Sequence, residues 1–205
     1  MYKRQNWGCI PTKALIKNAE VYRLIKQSEK YGINVQNISV DFKKNIKRSR
    51  DISQRLSKGI EFLMKKNKIK HLNGFGRFTS ENNIEINSND KVSNVEADKI
   101  IIATGARPRA FPNLNFDNEN VISSKEAMLL ENPPKDLVII GSGAIGVEFA
   151  YYFNEFGTRV HMVEMMDRIL PNEDHEVSEE VEKNFKKSGI KITKGVKVSK
   201  IQSMK

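Results

Sequence analysis

Apolar residues recur at helical spacing in two stretches near the start of the chain. From Pro11 the pattern runs through Leu15, Ala19, Tyr22 and Ile25, with the proline in the first turn, where its missing N–H is not needed. A longer amphipathic helix is predicted over residues 42–66. There Phe42, Ile46, Ile52, Leu56, Ile60 and Leu63 are interleaved with Lys43, Lys44, Lys47, Arg48, Lys58 and Lys65. Short extended runs bounded by Gly and Asn follow at Ile69–Leu72, Phe75–Thr79, Ile84–Asn87 and Val92–Val95, and a continuous apolar strand is predicted at Lys99–Ala103. Residues 106–120, with two prolines and several asparagines, read as a connection between domains.

The second half has a different grammar. A buried-type strand at Leu137–Ile140 meets a glycine-rich turn at Gly141–Gly146, then a helix over Ile145–Phe156 that ends at Gly157. A strand at Thr158–Val163, a helix over Asp174–Ser188 and strands at Ile190–Thr193 and Val196–Ile201 complete it. Strand, helix, strand, helix, strand is the order of a parallel α/β sheet.

Composition changes this picture little. The 205 residues carry 39% hydrophobic and 29% charged side chains, which fits a soluble globular chain, and no apolar run approaches the length of a membrane span. The formal charge of +10 is concentrated in residues 1–75, with 18 Lys and Arg against 5 Asp and Glu. Those basic residues fall on the outer face of the 42–66 helix, and no RNA- or DNA-binding motif accompanies them. The abundance of Lys, Ile and Asn reads as a codon bias, so neither a nucleic-acid nor a membrane partner is expected.

The strongest chemical signal is Gly141-Ser142-Gly143-Ala144-Ile145-Gly146, placed between a strand and a helix. That is the setting of a dinucleotide fingerprint. The first glycine permits the tight turn, the second lets a pyrophosphate approach, and the third allows close helix–strand packing, while the helix N-terminus offers free N–H groups. Glu164 ends the next strand, 18 residues past Gly146. A carboxylate there accepts hydrogen bonds from the ribose hydroxyls and repels the extra phosphate of NADP, so NAD is the expected ligand. The single cysteine, Cys9, lies just before a predicted helix start with Lys13 one turn later, a position that favours a thiolate. A lone cysteine is equally well read as a small buried hydrophobe. One cysteine excludes a disulfide framework within this chain and a zinc site built on several cysteines, and no metal is expected.

The segment Asn6-Trp-Gly-Cys9-Ile-Pro-Thr-Lys13-Ala-Leu resembles the redox-active segment of the pyridine nucleotide–disulfide oxidoreductases. The resemblance extends over residues 6–205 through Gly74-Phe-Gly76, Ile101-Ile-Ala-Thr-Gly105, the glycine-rich turn with Gly146-Val147-Glu148, and Val163-Glu164 followed by Arg168-Ile-Leu-Pro171. It implies an α/β chain made of an incomplete three-layer FAD-binding domain (residues 6–120) and an incomplete Rossmann-like NAD-binding domain (residues 121–205). It implies Cys9 as the flavin-proximal thiol of a CxxxxC disulfide, in charge-transfer contact with the flavin. Lys13 would be a flavin-side lysine paired with Glu148. Gly76, Thr104, Gly105 and Ala106 would be FAD contacts, and Gly141 through Glu148, with Glu164, would form the NAD site. Cys-Ile-Pro-Thr-Lys-Ala-Leu and Glu164 point within the family to the branch that oxidises dihydrolipoamide on the lipoyl domain of 2-oxoacid dehydrogenase complexes. Members of that branch work as homodimers, and a bacterial cytoplasmic or mitochondrial-matrix setting goes with it. A mercuric or glutathione-type reductase and a non-catalytic dinucleotide-binding module are the alternatives.

The sequence departs from the family at one position that matters. The partner cysteine belongs five residues before Cys9, where this chain has Arg4. Residues 1–5 match nothing in the family and read as the translation of a transposase adapter end, so Arg4 is expected to be non-native. The first FAD-binding strand, the family's N-terminal GxGxxG and its dimerisation domain are expected to lie outside this sequence. His71, His161 and His175 match no acid/base motif, and a chain of this extent is expected to be catalytically inactive.

Overall fold

The computed structural model describes residues 6–88, 91–111 and 114–201; Arg4 and the rest of residues 1–5 lie outside them. Helix α1 (Cys9–Lys26) begins at the cysteine itself, with Gly8 as its N-cap and Pro11 in its first turn. Its buried face is Pro11, Thr12, Ala14, Leu15 and Ala19. Helix α2 (Phe42–Lys66) has the predicted bounds. Asp41 caps it by accepting from the Lys44 N–H at 3.0 Å, and this bond leads the causes that hold its carboxyl below the usual range. At the other end Lys68 turns left-handed (φ 57°), and the Ile69 N–H closes back onto the Met64 carbonyl at 2.9 Å.

The Phe42–Leu63 stripe is buried only in its first half. Ile46, Ser49 and Ser53 are covered, whereas Leu56 and Leu63 are 41% and 49% exposed. Strands β1 (Phe75–Phe78), β2 (Asn83–Ser88) and β3 (Lys91–Glu96) form an antiparallel sheet in that order, with Phe78 opposite Ile84 and Ile84 opposite Val95. Its side chains are mostly solvent-facing.

The second half builds a parallel sheet in the order β4 (Asp136–Ile140), β5 (Arg159–Val163) and β6 (Lys191–Thr193). A four-residue helix, α3 (Ser124–Ala127), precedes β4, α4 (Ala144–Glu155) joins β4 to β5, and α5 (His175–Lys187) joins β5 to β6. Helix α4 ends in a left-handed Gly157 (φ 94°), with the Thr158 N–H returning to the Phe153 carbonyl, so the chain reverses directly into β5. The alternation in β5 explains the core. Val160 and Met162 point under α4 and are buried, while Arg159 stays outside and forms a two-point ion pair with Asp136 at 2.6 Å.

The core joins both halves. Leu15 and Ala19 of α1, Ile46 of α2, Met128, and Phe149, Ala150, Tyr152 and Phe153 of α4 form one cluster with Val160, Met162, Phe185 and Ile190. Tyr22 stacks on Phe156 with ring centres 5.0 Å apart, and Phe42 meets the same ring edge-on. Within this cluster the Tyr152 hydroxyl is buried without a hydrogen-bond partner, and burial pushes its pKa well up. Tyr152→Phe removes an orphaned polar atom while keeping the ring. It is expected to stabilise the fold by about 1 kcal/mol. A urea unfolding midpoint below that of the unaltered chain would show that the hydroxyl is satisfied in solution.

Three predicted strands do not form. Lys99–Ala103 is irregular, with Ile101 91% and Ile102 71% exposed, because no neighbouring strand among the described residues supplies a ladder for it. Ile69–Leu72 follows the left-handed exit of α2 and pairs with nothing in the sheet of β1–β3. Val196–Ile201 is turned aside by Gly195 (φ 70°). The N–H groups of Gly195 and Val196 bond the Met166 and Glu164 carbonyls instead of extending β6. Beside β4, a hollow of about 600 Å³ is lined by Phe111, Leu114, Phe116, Val138, Ile140 and Ile145, among others.

Candidate functional site

The glycine-rich turn sits where β4 runs into α4. Gly141 adopts φ 98°, and its N–H bonds the Val163 carbonyl at 2.8 Å, which ties the end of β4 to the end of β5. A Cβ on Gly146 would lie 2.1 Å from the Gly141 carbonyl oxygen, so α4 approaches the strand at a distance only glycine allows. A Cβ on Gly143 would meet nothing within 4 Å, so the middle glycine faces open space. Gly143 is also the N-cap of α4 and has no side-chain cap. The first-turn N–H groups therefore point outward beside exposed Gly143, Ala144 and Ile145, with the positive end of a 12-residue helix behind them. Open space and free donors at that spot suit the pyrophosphate of a dinucleotide.

Glu164 closes the other side of the turn. It is buried, 7% exposed, yet carries its charge on internal donors. Its Oε2 accepts from the Ser142 N–H and the Ser142 hydroxyl, both at 2.7 Å, and its Oε1 accepts from the Met166 N–H at 2.9 Å. Burial alone would raise its pKa; the hydrogen bonds from Met166 and Ser142 outweigh that and hold it below the ordinary value of 4.5. It remains an acceptor-only carboxylate at neutral pH, facing the glycine-rich turn.

Lys13 and Glu148 form an ion pair between α1 and α4, bringing together the two residues that the sequence comparison pairs. Cys9 is a free, exposed thiol in the first turn of α1, four residues before Lys13. Gly76 lies in β1, and Thr104, Gly105 and Ala106 lie on the irregular segment after Ile102. Among the described residues no hydrogen bond joins Gly76 or Thr104–Ala106 to the cysteine segment. Gly105 keeps a left-handed φ of 86°. The glycine-rich turn and Glu164 are thus brought together, whereas Gly76 and Thr104–Ala106 stand apart from the cysteine segment.

Sequence reasoning missed the surroundings of the cysteine segment. Trp7 lies between the Arg50 guanidinium, 4.8 Å from its ring centre, and the Lys125 ammonium, 5.0 Å away. Arg50 also donates to the Asn6 carbonyl at 2.5 Å. These partners come from α2 and α3, far along the chain, and no local pattern announces them. His161 shares a 2.8 Å hydrogen bond with Thr193, and burial followed by the nearby Lys191 lowers its pKa. His175 faces Glu179 one turn along α5. Among the described residues no cluster of His, Cys, Asp or Glu could hold a metal ion, and no helix is long and apolar enough to cross a membrane.

A glycine-rich turn with a buried carboxylate at the end of β5, joined by the Lys13–Glu148 ion pair to a cysteine-bearing helix, belongs to an α/β nucleotide-binding class of fold. Residues 3–205 match the family described as pyridine nucleotide-disulphide oxidoreductase, and the chain belongs to that family. FAD and NAD are the cofactors that go with it. The chain is 42% identical over 197 residues to the dihydrolipoyl dehydrogenase of Chlorobaculum parvum, covering 96% of this chain and 42% of that protein. It is 38% identical over 200 residues to the Bacillus subtilis dihydrolipoyl dehydrogenase, covering 93% and 42%. The chain therefore spans about two fifths of the length of these curated relatives. In structure it is similar to LpdA from Mycobacterium tuberculosis, with a TM-score of 0.89 at 23% identity, over 97% of this chain and 44% of that one. It is also similar to the HOCl-induced flavoprotein disulfide reductase RclA from Escherichia coli, with a TM-score of 0.78 at 26% identity, over 97% and 41%.

Proposed function

We propose that this chain is part of a dihydrolipoyl dehydrogenase and carries its NAD-recognition elements and one of its two redox thiols. The observation that carries the reading is the Glu164 carboxylate hydrogen-bonded into the Gly141–Gly146 turn, a pairing that offers donors to a pyrophosphate and an acceptor to a ribose side by side. Residues 6–120 contribute to the flavin domain and residues 121–205 to the nicotinamide-nucleotide domain, a division supported by the two halves carrying separate sheets. Gly141, Ser142, Gly143, Ala144, Ile145, Gly146 and Val147 form the phosphate turn and helix start. Glu164 takes the ribose. Gly76, Thr104, Gly105 and Ala106 face the FAD side, and Lys13 with Glu148 spans the two.

Cys9 is the flavin-proximal thiol in this reading. When bound, FAD relays reducing equivalents between the thiol pair and NAD. The chain's own contribution is to hold that thiol exposed at the head of α1 and to fix Lys13 against Glu148 one turn further on. A second thiol belongs at the position of Arg4, so the 205 residues as they stand do not reduce NAD with dihydrolipoamide. The full-length enzyme pairs with itself and acts on the lipoyl domain of 2-oxoacid dehydrogenase complexes, in a bacterial cytoplasm. Titration of this chain with NADH and NADPH, followed by nucleotide fluorescence, tests the assignment. NADH is expected to bind at least about tenfold more tightly, the worth of a hydrogen bond to a charged acceptor. Equal affinities would remove the ribose role of Glu164, and no binding of NADH would remove the dinucleotide assignment.

A further inference from the structure

The Arg168–Pro171 stretch has no part in the reading above, yet its backbone is anchored in the glycine-rich turn. The Leu170 N–H donates to the Ser142 carbonyl at 2.9 Å. Leu170 itself is held left-handed, at φ 46°, a conformation that costs a branched residue energy and needs outside support. That support comes from three sides. Ile169 is fully buried beneath it, the Glu173 N–H donates to the Leu170 carbonyl at 2.9 Å, and the Ser178 hydroxyl is shared between that carbonyl at 3.2 Å and the Asp174 carbonyl at 3.0 Å. Ser142 is itself fully buried. Its carbonyl holds one segment while its N–H and hydroxyl hold another, the Glu164 carboxylate.

We infer that Ser142 is a specificity-determining positioning residue. Its hydroxyl fixes the Glu164 carboxylate for the adenosine ribose, and its backbone locks the turn beside that carboxylate, so this serine sets the preference for a nucleotide with a free 2′-hydroxyl. The inference rests on the dinucleotide reading and deepens it.

The geometry of acceptors supports it. A carboxylate offers about four lone-pair directions. Two on Oε2 are taken by Ser142 and one on Oε1 by Met166, and the Met165 N–H also bonds the carboxylate and helps hold its charge. With Oε2 taken by Ser142, a ribose hydroxyl is expected to approach on the Oε1 side. Turning the carboxylate to any other angle would break both Ser142 bonds at once. Losing the hydroxyl leaves the Ser142 N–H on Oε2 and the Met166 N–H on Oε1, a looser hold on the carboxylate. A glycine or alanine at this position keeps the fold of the turn but loses that restraint. The segment after Glu164 adds no cation within the turn's first residues, Met165 and Met166, that could receive a 2′-phosphate.

The test is a double-mutant cycle on the 205-residue chain with NADH and NADPH as ligands. Ser142→Ala is expected to weaken NADH about tenfold, as loss of a hydrogen bond to a charged group does, and to leave NADPH within about twofold, so that the preference narrows. In an Glu164→Ala background, Ser142→Ala is expected to change neither affinity, because the serine acts through the carboxylate. An undiminished Ser142→Ala effect in that background, or equal weakening of both nucleotides, overturns the inference. Ser142→Gly gives a second removal of the hydroxyl should the alanine variant fail to fold. The tether is also read without any nucleotide, by carbon-13 NMR titration of the Glu164 carboxyl. Its midpoint rises in Ser142→Ala if the hydroxyl holds it, and an unchanged midpoint overturns the tether. If the unaltered chain binds no NADH, the dinucleotide reading falls and the specificity role falls with it, while the NMR titration still reports on the tether.

Discussion

Gly146→Ala is expected to destabilise the chain by about 3 kcal/mol or more, as forced overpacking against a rigid neighbour does. The added Cβ would stand 2.1 Å from the Gly141 carbonyl oxygen, a backbone atom, and 3.3 Å from the Ile139 side chain. Gly141 cannot retreat, because its N–H is committed to Val163 and its φ of 98° leaves no room for an alternative turn. Helix α4 would have to lift, and α4 carries four residues of the shared core. The informative companion is Gly143→Ala. That Cβ meets nothing within 4 Å and the backbone there is extended at φ −67°. Stability is expected to stay within about 0.5 kcal/mol, the usual range for an unhindered surface change, while NADH binding is lost because the methyl occupies the phosphate's approach. Urea unfolding and nucleotide titration of the two variants separate folding from binding at adjacent glycines. A stable Gly146→Ala protein would mean that helix and strand are not in the close contact described.

Glu164→Lys is expected to reverse the nucleotide preference. The substitution removes the acceptor for the ribose hydroxyl and presents an ammonium to the Ser142 and Met166 N–H groups, which are donors already. A loss of about 100-fold in NADH affinity follows from one or two charge-assisted hydrogen bonds at about 1.5–3 kcal/mol each. NADPH gains over the unaltered chain, because its 2′-phosphate now meets a cation in a partly closed site. Isothermal titration with both nucleotides reads the ratio, and the unfolding midpoint controls for loss of the turn. A ratio unchanged from the unaltered chain would put the ribose somewhere other than Glu164.

What the sequence made legible was whatever depends on local spacing. The bounds of α2 follow from Asp41 and from the 42–66 apolar stripe, because a helix closes its hydrogen bonds within itself. The turn at Gly141–Gly146 and the carboxylate at Glu164 were legible because a strand–turn–helix unit sets their separation. The failed strands were lost to features outside their own residue pattern, such as the left-handed Lys68 and Gly195 beside two of them. Lys99–Ala103 has the right residues for a strand, but a strand needs a neighbour to exist, and its sequence says nothing of whether one is there. The Trp7–Arg50–Lys125 arrangement was invisible for a related reason, since Trp7, just before α1, meets Arg50 of α2 and Lys125 of α3 only in the folded chain. The Ser142 hydroxyl could have been noticed, as the one polar side chain in the glycine-rich turn.

The position of β4 at the rim of its sheet bears on how this polypeptide behaves in a test tube. Asp136–Ile140 is a run of Leu, Val, Ile and Ile with one side unpaired among the described residues, and Val138 is 60% exposed next to an apolar hollow. An open, β-branched rim with no lysine or proline to interrupt it is a template for pairing with a like strand. The purified chain is therefore expected to self-associate through these five residues more readily than its charge of +10 would suggest.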